Sequence, residues 1–137
     1  IACGSMVWPA LEAAKELSKI SVSARVINNH TIKPFDYETT VKAAQECGAI
    51  VTAEEHQVHG GLGSIVAEAV AKNYPVPMEF VGVKDSFGGS GDPTELMEKF
   101  GLTWKEIYAS ALMAMKRRDK GAVALRKVNE VESYSQA

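Results

Sequence analysis

The apolar positions of the chain change period near its middle, and the change predicts a strand followed by a helix. Residues Ala49–Glu54 form a short apolar run that ends in acidic residues, which is typical of a buried strand. From residue 62 onward the apolar residues fall on one helix face: Leu62, Ile65, Val66, Ala69 and Val70. Between the two lies His56–Gly63, a polar segment rich in glycine. The pattern therefore predicts a strand, a tight turn and a helix.

Three other segments predict further strands. Ile1–Cys3 matches the last part of a strand, and Ser21–Ile27 is rich in the β-branched residues that favour strands. Met78–Val83 is a third apolar run. Because strands alternate with helices at this spacing, the sequence predicts an α/β fold with a mostly parallel sheet that helices cover on both faces.

Two helices are predicted before the central strand. Ser5 can cap the first, whose apolar face would contain Ala10, Leu11, Ala14 and Leu17. Asp36 is a suitable N-cap for the second helix, which we predict over Tyr37–Cys47, and Gly48 ends it.

Two capping motifs follow the last predicted strand and a second glycine-rich loop, Lys84–Gly91. The first capping motif is Asp92–Glu95, with proline in the first helical position. The second pairs Thr103 with Glu106 and begins a helix predicted to end near residue 115. We therefore predict a domain over residues 1–115 and a basic, polar extension over residues 116–137.

The glycine-rich turn is the candidate functional site, because ligands of parallel sheets bind at the carboxyl ends of the strands. Its candidate residues for an anion-binding or interface loop are His56, His59, Gly60, Gly61, Gly63 and Ser64. Backbone N–H groups at a helix N-terminus favour a phosphate, but a tight turn that needs glycine explains the same residues. The spacing GGxG matches neither the dinucleotide fingerprint nor the P-loop, so both interpretations stay open.

The acidic and histidine side chains around this turn could also bind a metal or transfer a proton, but the sequence supports these roles less strongly than an anion-binding or interface loop. Glu54, Glu55, His56 and His59 could ligate a metal, but HxxH in a loop is not the HExxH helix of zinc enzymes. A histidine could act as a general acid or base, but the sequence pairs neither histidine with a nucleophile. We therefore assign no catalytic residue, no cofactor ligand and no metal ligand in this chain.

Composition narrows the class of protein. The 137 residues carry a net charge of −2, which argues against nucleic-acid binding. No apolar run approaches the roughly 20 residues that cross a membrane. Two cysteines and no visible signal peptide indicate a reduced, cytoplasmic setting. The chain opens on isoleucine rather than methionine, and we expect it to be a fragment of a longer polypeptide.

Four segments in register resemble the C-terminal domain of transketolase-like, thiamine-diphosphate-dependent enzymes. They are IACGSMVWPALEAAKEL, ARVINNHTIKPFD, VTAEEHQVHGGLGSIVAEAV and GVKDSFGGSGDPTELMEKFGLTWKEI, and they span Ile1 to about Leu112. The similarity is greatest to transketolase itself, especially to short chains that carry its C-terminal half.

The resemblance implies a three-layer α/β/α fold with a five-stranded mixed, mostly parallel sheet whose first strand is antiparallel to the others. It implies that thiamine diphosphate and a divalent metal bind between the preceding domains of a dimer, so none is expected in this fragment. Glu54 and Glu55 are not the cofactor-activating glutamate of the family. The domain would make contacts with other domains or in a homodimer and could serve regulation, and the fragment alone would be inactive.

By the same resemblance, the parent enzyme would transfer a two-carbon ketol unit between sugar phosphates, as in the pentose phosphate pathway. Two alternatives remain. One is a free-standing module that binds a small anion, and the other is the C-terminal domain of a 2-oxo acid dehydrogenase beta subunit.

Overall fold

The computed structural model describes residues 1–84, 86 and 88–135, with side chains up to residue 121. A short 3₁₀ turn, Gly4–Met6, precedes the first helix. The helices are α1 (Val7–Ser18), α2 (Tyr37–Cys47), α3 (Leu62–Asn73), α4 (Pro93–Lys99) and α5 (Trp104–Ser135), and the strands are β1 (Ile50–Gln57) and β2 (Met78–Val83).

The sheet is parallel wherever the described residues pair. β1 pairs with β2, and Ala2 forms isolated parallel bridges to Ala53 of β1 and to Asn28. Asn28, Ala2, β1 and β2 therefore lie side by side in that order. The α/β class is confirmed, but the described residues form two strands rather than the expected five, and none of their pairings is antiparallel.

Helices pack on both faces of this sheet. On one face, α1 and α5 enclose a buried cluster of Ala2, Met6, Ala10, Ala13, Ala53, Val81, Leu102 and Ile107. On the other face, α2 and α3 enclose a cluster of Ala44, Ile50, Leu62, Val66 and Val70. Both strands are thus covered on two sides, as expected for a parallel sheet.

Local capping signals place the helix ends as the sequence predicts. Asp36 accepts a hydrogen bond from the Thr39 N–H at 3.0 Å, and this bond lowers the pKa of the Asp36 carboxyl. Gly48 ends α2 in the left-handed conformation, with φ of 70°. Asp92 caps α4, with Pro93 in its first turn.

The first helix differs from its prediction at both its cap and its buried face. Ser5 does not cap α1, because the 3₁₀ turn moves the helix start to Val7. The Ser5 hydroxyl instead donates to a carboxylate oxygen of Glu55 at 2.5 Å. Leu11 is 47% exposed, and the buried face contains Ala13 instead, three residues after Ala10 and four before Leu17.

The predicted strand over Ser21–Ile27 is not a strand in the structure. Ser21 has φ of 62° and belongs to the turn after α1. Only the next residue, Asn28, bridges to the sheet. A strand requires a neighbouring strand that forms hydrogen bonds along its length. Ala2 bonds only at the end of this segment and offers no partner to the residues before it.

The last helix continues well past the predicted end at Met115 and runs to Ser135. No proline interrupts this part of the sequence, and a single Gly121 costs only about 1 kcal/mol in a helix interior. The predicted boundary between residues 115 and 116 therefore lies inside a continuous helix.

Two arginines of the predicted extension contact the body of the domain. Arg117 Nη1 donates to the carbonyl of Met78 and to the carboxylate of Glu79, both at 2.8 Å. Arg118 Nη1 donates to the carbonyl of Cys47 at 3.2 Å. These side chains join α5 to the start of β2 and the end of α2.

Candidate functional site

The central strand is longer than predicted and takes in part of the predicted turn. β1 includes His56, so the turn itself is reduced to residues 58–61. The pairing of β1 with β2 shifts register after Ala53 and resumes at Gln57. The intervening residues Glu54–His56 lie opposite Gly82 alone, which is the geometry of a bulge. A bulge changes the direction in which side chains point, and the buried acid Glu54 is the first residue of this one.

Glu54 is the central residue of the site. Its side chain is buried, at 3% exposure, directly below the start of α3. One carboxylate oxygen accepts from the Leu62 N–H and the other from the Gly63 N–H, both at 2.7 Å. The first amides of a helix lack partners within the helix and carry its positive dipole end. The Glu54 carboxylate therefore occupies the position in which a helix N-terminus would hold a phosphate.

The glycines of the turn give this carboxylate room. A Cβ at Gly61 would lie 2.0 Å from Glu54 Oε2. A Cβ at Gly63 would lie 2.8 Å from Phe80 Cδ1 and 3.0 Å from Thr52 Oγ1. These glycines thus allow the helix start, the buried acid and the sheet to come into close contact.

The remaining turn residues bond to one another. Gly60 adopts φ of 85°, and its N–H donates to the Ser64 hydroxyl at 2.7 Å. The Ser64 hydroxyl donates in turn to the Val58 carbonyl at 3.5 Å. Ser64, in the first helical turn of α3, therefore holds the preceding loop together through these two hydrogen bonds.

The two histidines lie apart from the helix amides. His56 is exposed, with Nδ1 at 2.8 Å from the Gln57 carbonyl and 3.9 Å from Glu54 Oε2. His59 is exposed in the turn. Within the described part of the chain, no three His, Cys, Asp or Glu side chains converge as a metal site would require.

The nearest thiol is not activated. Cys3 is half-buried, and burial together with the negative charge of Glu54 raises the pKa of its thiol. A raised pKa keeps a cysteine in its less nucleophilic form.

The second glycine-rich loop follows β2 at the same edge of the sheet. Gln57 Nε2 donates to the Ser86 carbonyl at 2.9 Å and so joins the ends of the two loops. Asp85 and Phe87, also part of this loop, lie outside the described residues.

Thr52 is buried beneath Gly63, and its hydroxyl has no hydrogen-bond partner among the described residues. A buried hydroxyl without a partner costs about 1–3 kcal/mol. We therefore expect Thr52→Val, which has nearly the same shape, to raise the free energy of unfolding by about 1 kcal/mol in urea denaturation. Thr94→Val, at an exposed position of α4, is the control and should change it by less than about 0.5 kcal/mol. A clear loss of stability in Thr52→Val would mean that the hydroxyl has a partner.

Sequence reasoning considered Glu54 only as a possible metal ligand and did not consider Thr52. Both belong to the strand, and nothing in their local sequence indicates contact with a helix start. In the described part of the chain, no helix is long and apolar enough to cross a membrane.

Comparison with known proteins identifies the family of the chain. Residues 1–107 match a family model described as transketolase, C-terminal domain. The chain is 49% identical over 119 residues to the 6-deoxy-6-sulfo-D-fructose transketolase subunit SqwH of Clostridium sp. (strain MSTE9), which covers 87% of this chain and 37% of that subunit. It is 39% identical over 117 residues to a subunit of the apulose-4-phosphate transketolase of Phocaeicola vulgatus. This match covers 85% of this chain and 37% of that subunit.

Two further similarities extend the comparison. A 1-deoxy-D-xylulose-5-phosphate synthase of Trichormus variabilis is 39% identical over 124 residues, or 90% of this chain and 20% of the enzyme. A solved structure titled split gene transketolase, inactive beta4 tetramer, superposes with a TM-score of 0.82 at 46% identity, covering 85% of this chain and 38% of that one. The chain thus spans less than two-fifths of the length of each of these relatives.

Proposed function

Because the chain belongs to the transketolase C-terminal domain family, we propose that it is the non-catalytic C-terminal domain of a thiamine-diphosphate-dependent transketolase. In this proposal it makes contacts with other subunits or domains of that enzyme. The parent enzyme transfers a two-carbon ketol unit between sugars, with thiamine diphosphate and a divalent metal held by its other domains. The likeness to transketolase subunits of two organisms, at 49% and 39% identity, supports this assignment.

One observation about the candidate turn carries the non-catalytic role. The Leu62 and Gly63 amides, which could bind the diphosphate of a cofactor, are both satisfied by the buried Glu54 carboxylate. The same pairing ties both oxygens of the buried Glu54 side chain to this helix start, where they are not placed to contact a cofactor. The residues present therefore do not fit thiamine diphosphate, and we assign them no step in its chemistry.

The same observation weakens the alternative of a free-standing anion-binding module. An external anion at this helix start would have to displace a carboxylate of the chain itself. The similarities reported above favour neither this module nor a 2-oxo acid dehydrogenase beta subunit. They also span a sulfo-sugar transketolase and a deoxyxylulose-phosphate synthase, so they do not narrow the parent to the pentose phosphate pathway. A cytoplasmic setting stays a prediction.

The outer side of α1 is a candidate contact surface. Trp8 is 69% exposed, and Leu11 follows three residues later on the same side of the helix. Trp8 Nε1 donates to Glu12 Oε1 at 3.2 Å, which holds the indole along the helix. Exposed large apolar side chains grouped in this way mark contact sites between proteins, and tryptophan often dominates their energy.

We expect the double variant Trp8→Ser/Leu11→Ser to weaken subunit association at least about tenfold, since an interface tryptophan is often worth about 2 kcal/mol or more. Analytical ultracentrifugation of the intact polypeptide with its partner subunits measures this. Tyr74→Ser, an exposed aromatic residue after α3, is the control and should leave association unchanged. Unaltered association in the double variant would exclude this surface.

The proposed activity is tested by assaying ketol transfer with the intact polypeptide that contains this chain, purified together with any subunit that accompanies it. We expect transfer that requires added thiamine diphosphate and Mg²⁺, and no transfer by the 137 residues alone. Catalysis by the 137 residues alone would overturn the non-catalytic role. Absence of ketol transfer together with 2-oxo acid decarboxylation would favour the dehydrogenase alternative.

A further inference from the structure

Strand β2 stands last in the row of neighbours formed by Asn28, Ala2, β1 and β2, and the described residues pair it with β1 alone. Its outer edge is the side that faces away from β1. A strand at the edge of a sheet presents a row of backbone N–H and C=O groups, and the strand of another molecule can bond to them. The outer edge of β2 is therefore a surface at which association between molecules has to be controlled.

The register of the sheet decides which backbone groups face this outer edge. The Ile50 N–H donates to the Pro77 carbonyl at 3.0 Å, and Ile50 lies opposite Met78. In a parallel ladder a residue turns both its N–H and its C=O toward the same neighbour, and successive residues alternate between the two sides. Glu79, two residues after Pro77, therefore bonds toward β1, whereas Met78 and Phe80 turn their N–H and C=O groups outward.

Arg117 of α5 already bonds to one of these outward groups. Its Nη1 donates to the Met78 carbonyl and to a carboxylate oxygen of Glu79, both at 2.8 Å. The Arg117 side chain is 57% exposed, so a charged group stands in solvent at the start of the outer edge. Charged side chains on an edge strand oppose its pairing with another chain. A further strand could use the Met78 carbonyl only after it displaced the guanidinium from both of its acceptors.

We propose that Arg117 prevents the outer edge of β2 from pairing with the same edge of a second copy of this chain. Two copies of β2 can pair antiparallel about a twofold axis, because such an interface joins the same surface of both molecules. With Phe80 on the axis, each Phe80 N–H bonds to the Phe80 carbonyl of the other copy, and Met78 lies opposite Gly82. The Met78 carbonyl that this pairing needs is the one to which Arg117 donates.

Phe80 favours this pairing once the arginine is removed. Its ring lies against Gly63 at the start of α3, and 38% of the residue is exposed. Antiparallel pairing would bring the two exposed rings of the two copies together, and cross-strand aromatic pairs stabilise antiparallel strands. The middle of the outer edge therefore favours association, and the charged contact at its start opposes it.

The proposal is tested by sedimentation equilibrium of the intact polypeptide that contains this chain, with and without Arg117→Ala. We expect the substitution to strengthen self-association at least about tenfold. Lys116→Ala removes a neighbouring exposed charge of α5 and is the control, which should leave self-association unchanged. Contacts made through Trp8 and Leu11 are present in all three proteins, so they do not affect the comparison. Self-association of Arg117→Ala no stronger than that of the unmodified polypeptide would overturn the proposal.

Hydrogen exchange at the Phe80 amide identifies the surface of contact. This N–H faces outward, so it should exchange quickly in the unmodified polypeptide. In Arg117→Ala its exchange should slow at least about tenfold as the protein concentration rises, because the N–H then bonds to the second copy. Association without this protection would mean that the substitution exposes another surface, for example by loosening α5, and would overturn the proposal.

A second substitution on the edge should reverse the effect. Phe80→Pro removes an N–H that does not bond to β1, and proline is tolerated on edge strands. We expect Arg117→Ala/Phe80→Pro to associate no more strongly than the unmodified polypeptide. Phe80→Lys, which adds a charge to the same edge and keeps the backbone N–H, gives a second reading if proline unfolds the strand. Strong association that persists in both double variants would contradict the assigned surface.

Discussion

Gly61→Ala is expected to lower the free energy of unfolding by about 3–5 kcal/mol, the largest effect of any single substitution proposed here. The added Cβ would lie 2.0 Å from Glu54 Oε2 and 2.9 Å from His56 Nδ1. Gly61 has a negative φ of −103°, so the left-handed backbone strain of some glycine positions does not contribute. The loss comes from displacing a carboxylate that two helix amides hold in place. Urea denaturation followed by circular dichroism measures it.

Gly88→Ala is the matched control for this substitution. A Cβ at Gly88 meets no atom of the described residues within 4 Å, so the stability of Gly88→Ala should stay within about 0.5 kcal/mol of the unmodified chain. If Gly61→Ala lost less than about 1 kcal/mol, the carboxylate would be free to move aside, and its bonds to the helix amides would contribute little.

Glu54→Gln is expected to cost about 2–3 kcal/mol of unfolding free energy. An amide side chain has one acceptor oxygen, so either the Leu62 or the Gly63 N–H is left buried without a partner. The change also removes the negative charge from the positive end of the helix dipole. Glu55→Gln is the control, because Glu55 is the adjacent, exposed acid and bonds only to Ser5 among the described residues. It should lower the free energy of unfolding by less than about 1 kcal/mol.

Removing the carboxylate altogether should expose the helix start to an external anion. We expect added sulfate to raise the melting temperature of Glu54→Ala by several degrees more than that of Glu55→Ala. The comparison is needed because sulfate stabilises most proteins by exclusion from their surface. An equal rise in the two variants would mean that Glu54 does not take the place of an anion at this helix.

The features that the sequence predicts correctly are those encoded by neighbouring residues. Asp36 and Asp92 cap helices through bonds to amides two or three residues away, and Gly48 ends α2 by its own conformation. The face of α3 follows from a period that its own residues define. These elements need no distant partner, so a local pattern is sufficient to place them.

The candidate site depends on contacts that no local pattern contains. Glu54 stands next to Glu55 in the sequence, yet one is buried against a helix and the other is exposed. The difference arises from strand alternation together with the bulge opposite Gly82, and the bulge is not visible without the position of β2. Glycine density in the sequence indicates the region of the candidate site, but it does not indicate that Glu54 is buried against the helix start.

Two errors along the chain have the same origin. Ser21–Ile27 has the composition of a strand, but a strand also needs a neighbour to pair with. The end of α5 was predicted too early because the basic residues after Met115 suggest a solvated extension. Arg117 instead bonds to the start of β2, so a distant contact again decides the local structure.

The bonds of Glu54 have a consequence for motion in this domain. They join the end of β1 to the start of α3 across eight and nine residues of chain. The Leu62 and Gly63 amides can exchange with solvent only when the strand end and the helix start separate, so the two elements open as a single cooperative unit. A partner that shifts the end of β1 would therefore shift the start of α3 with it, because the two are joined directly by these bonds as well as through the turn at residues 58–61.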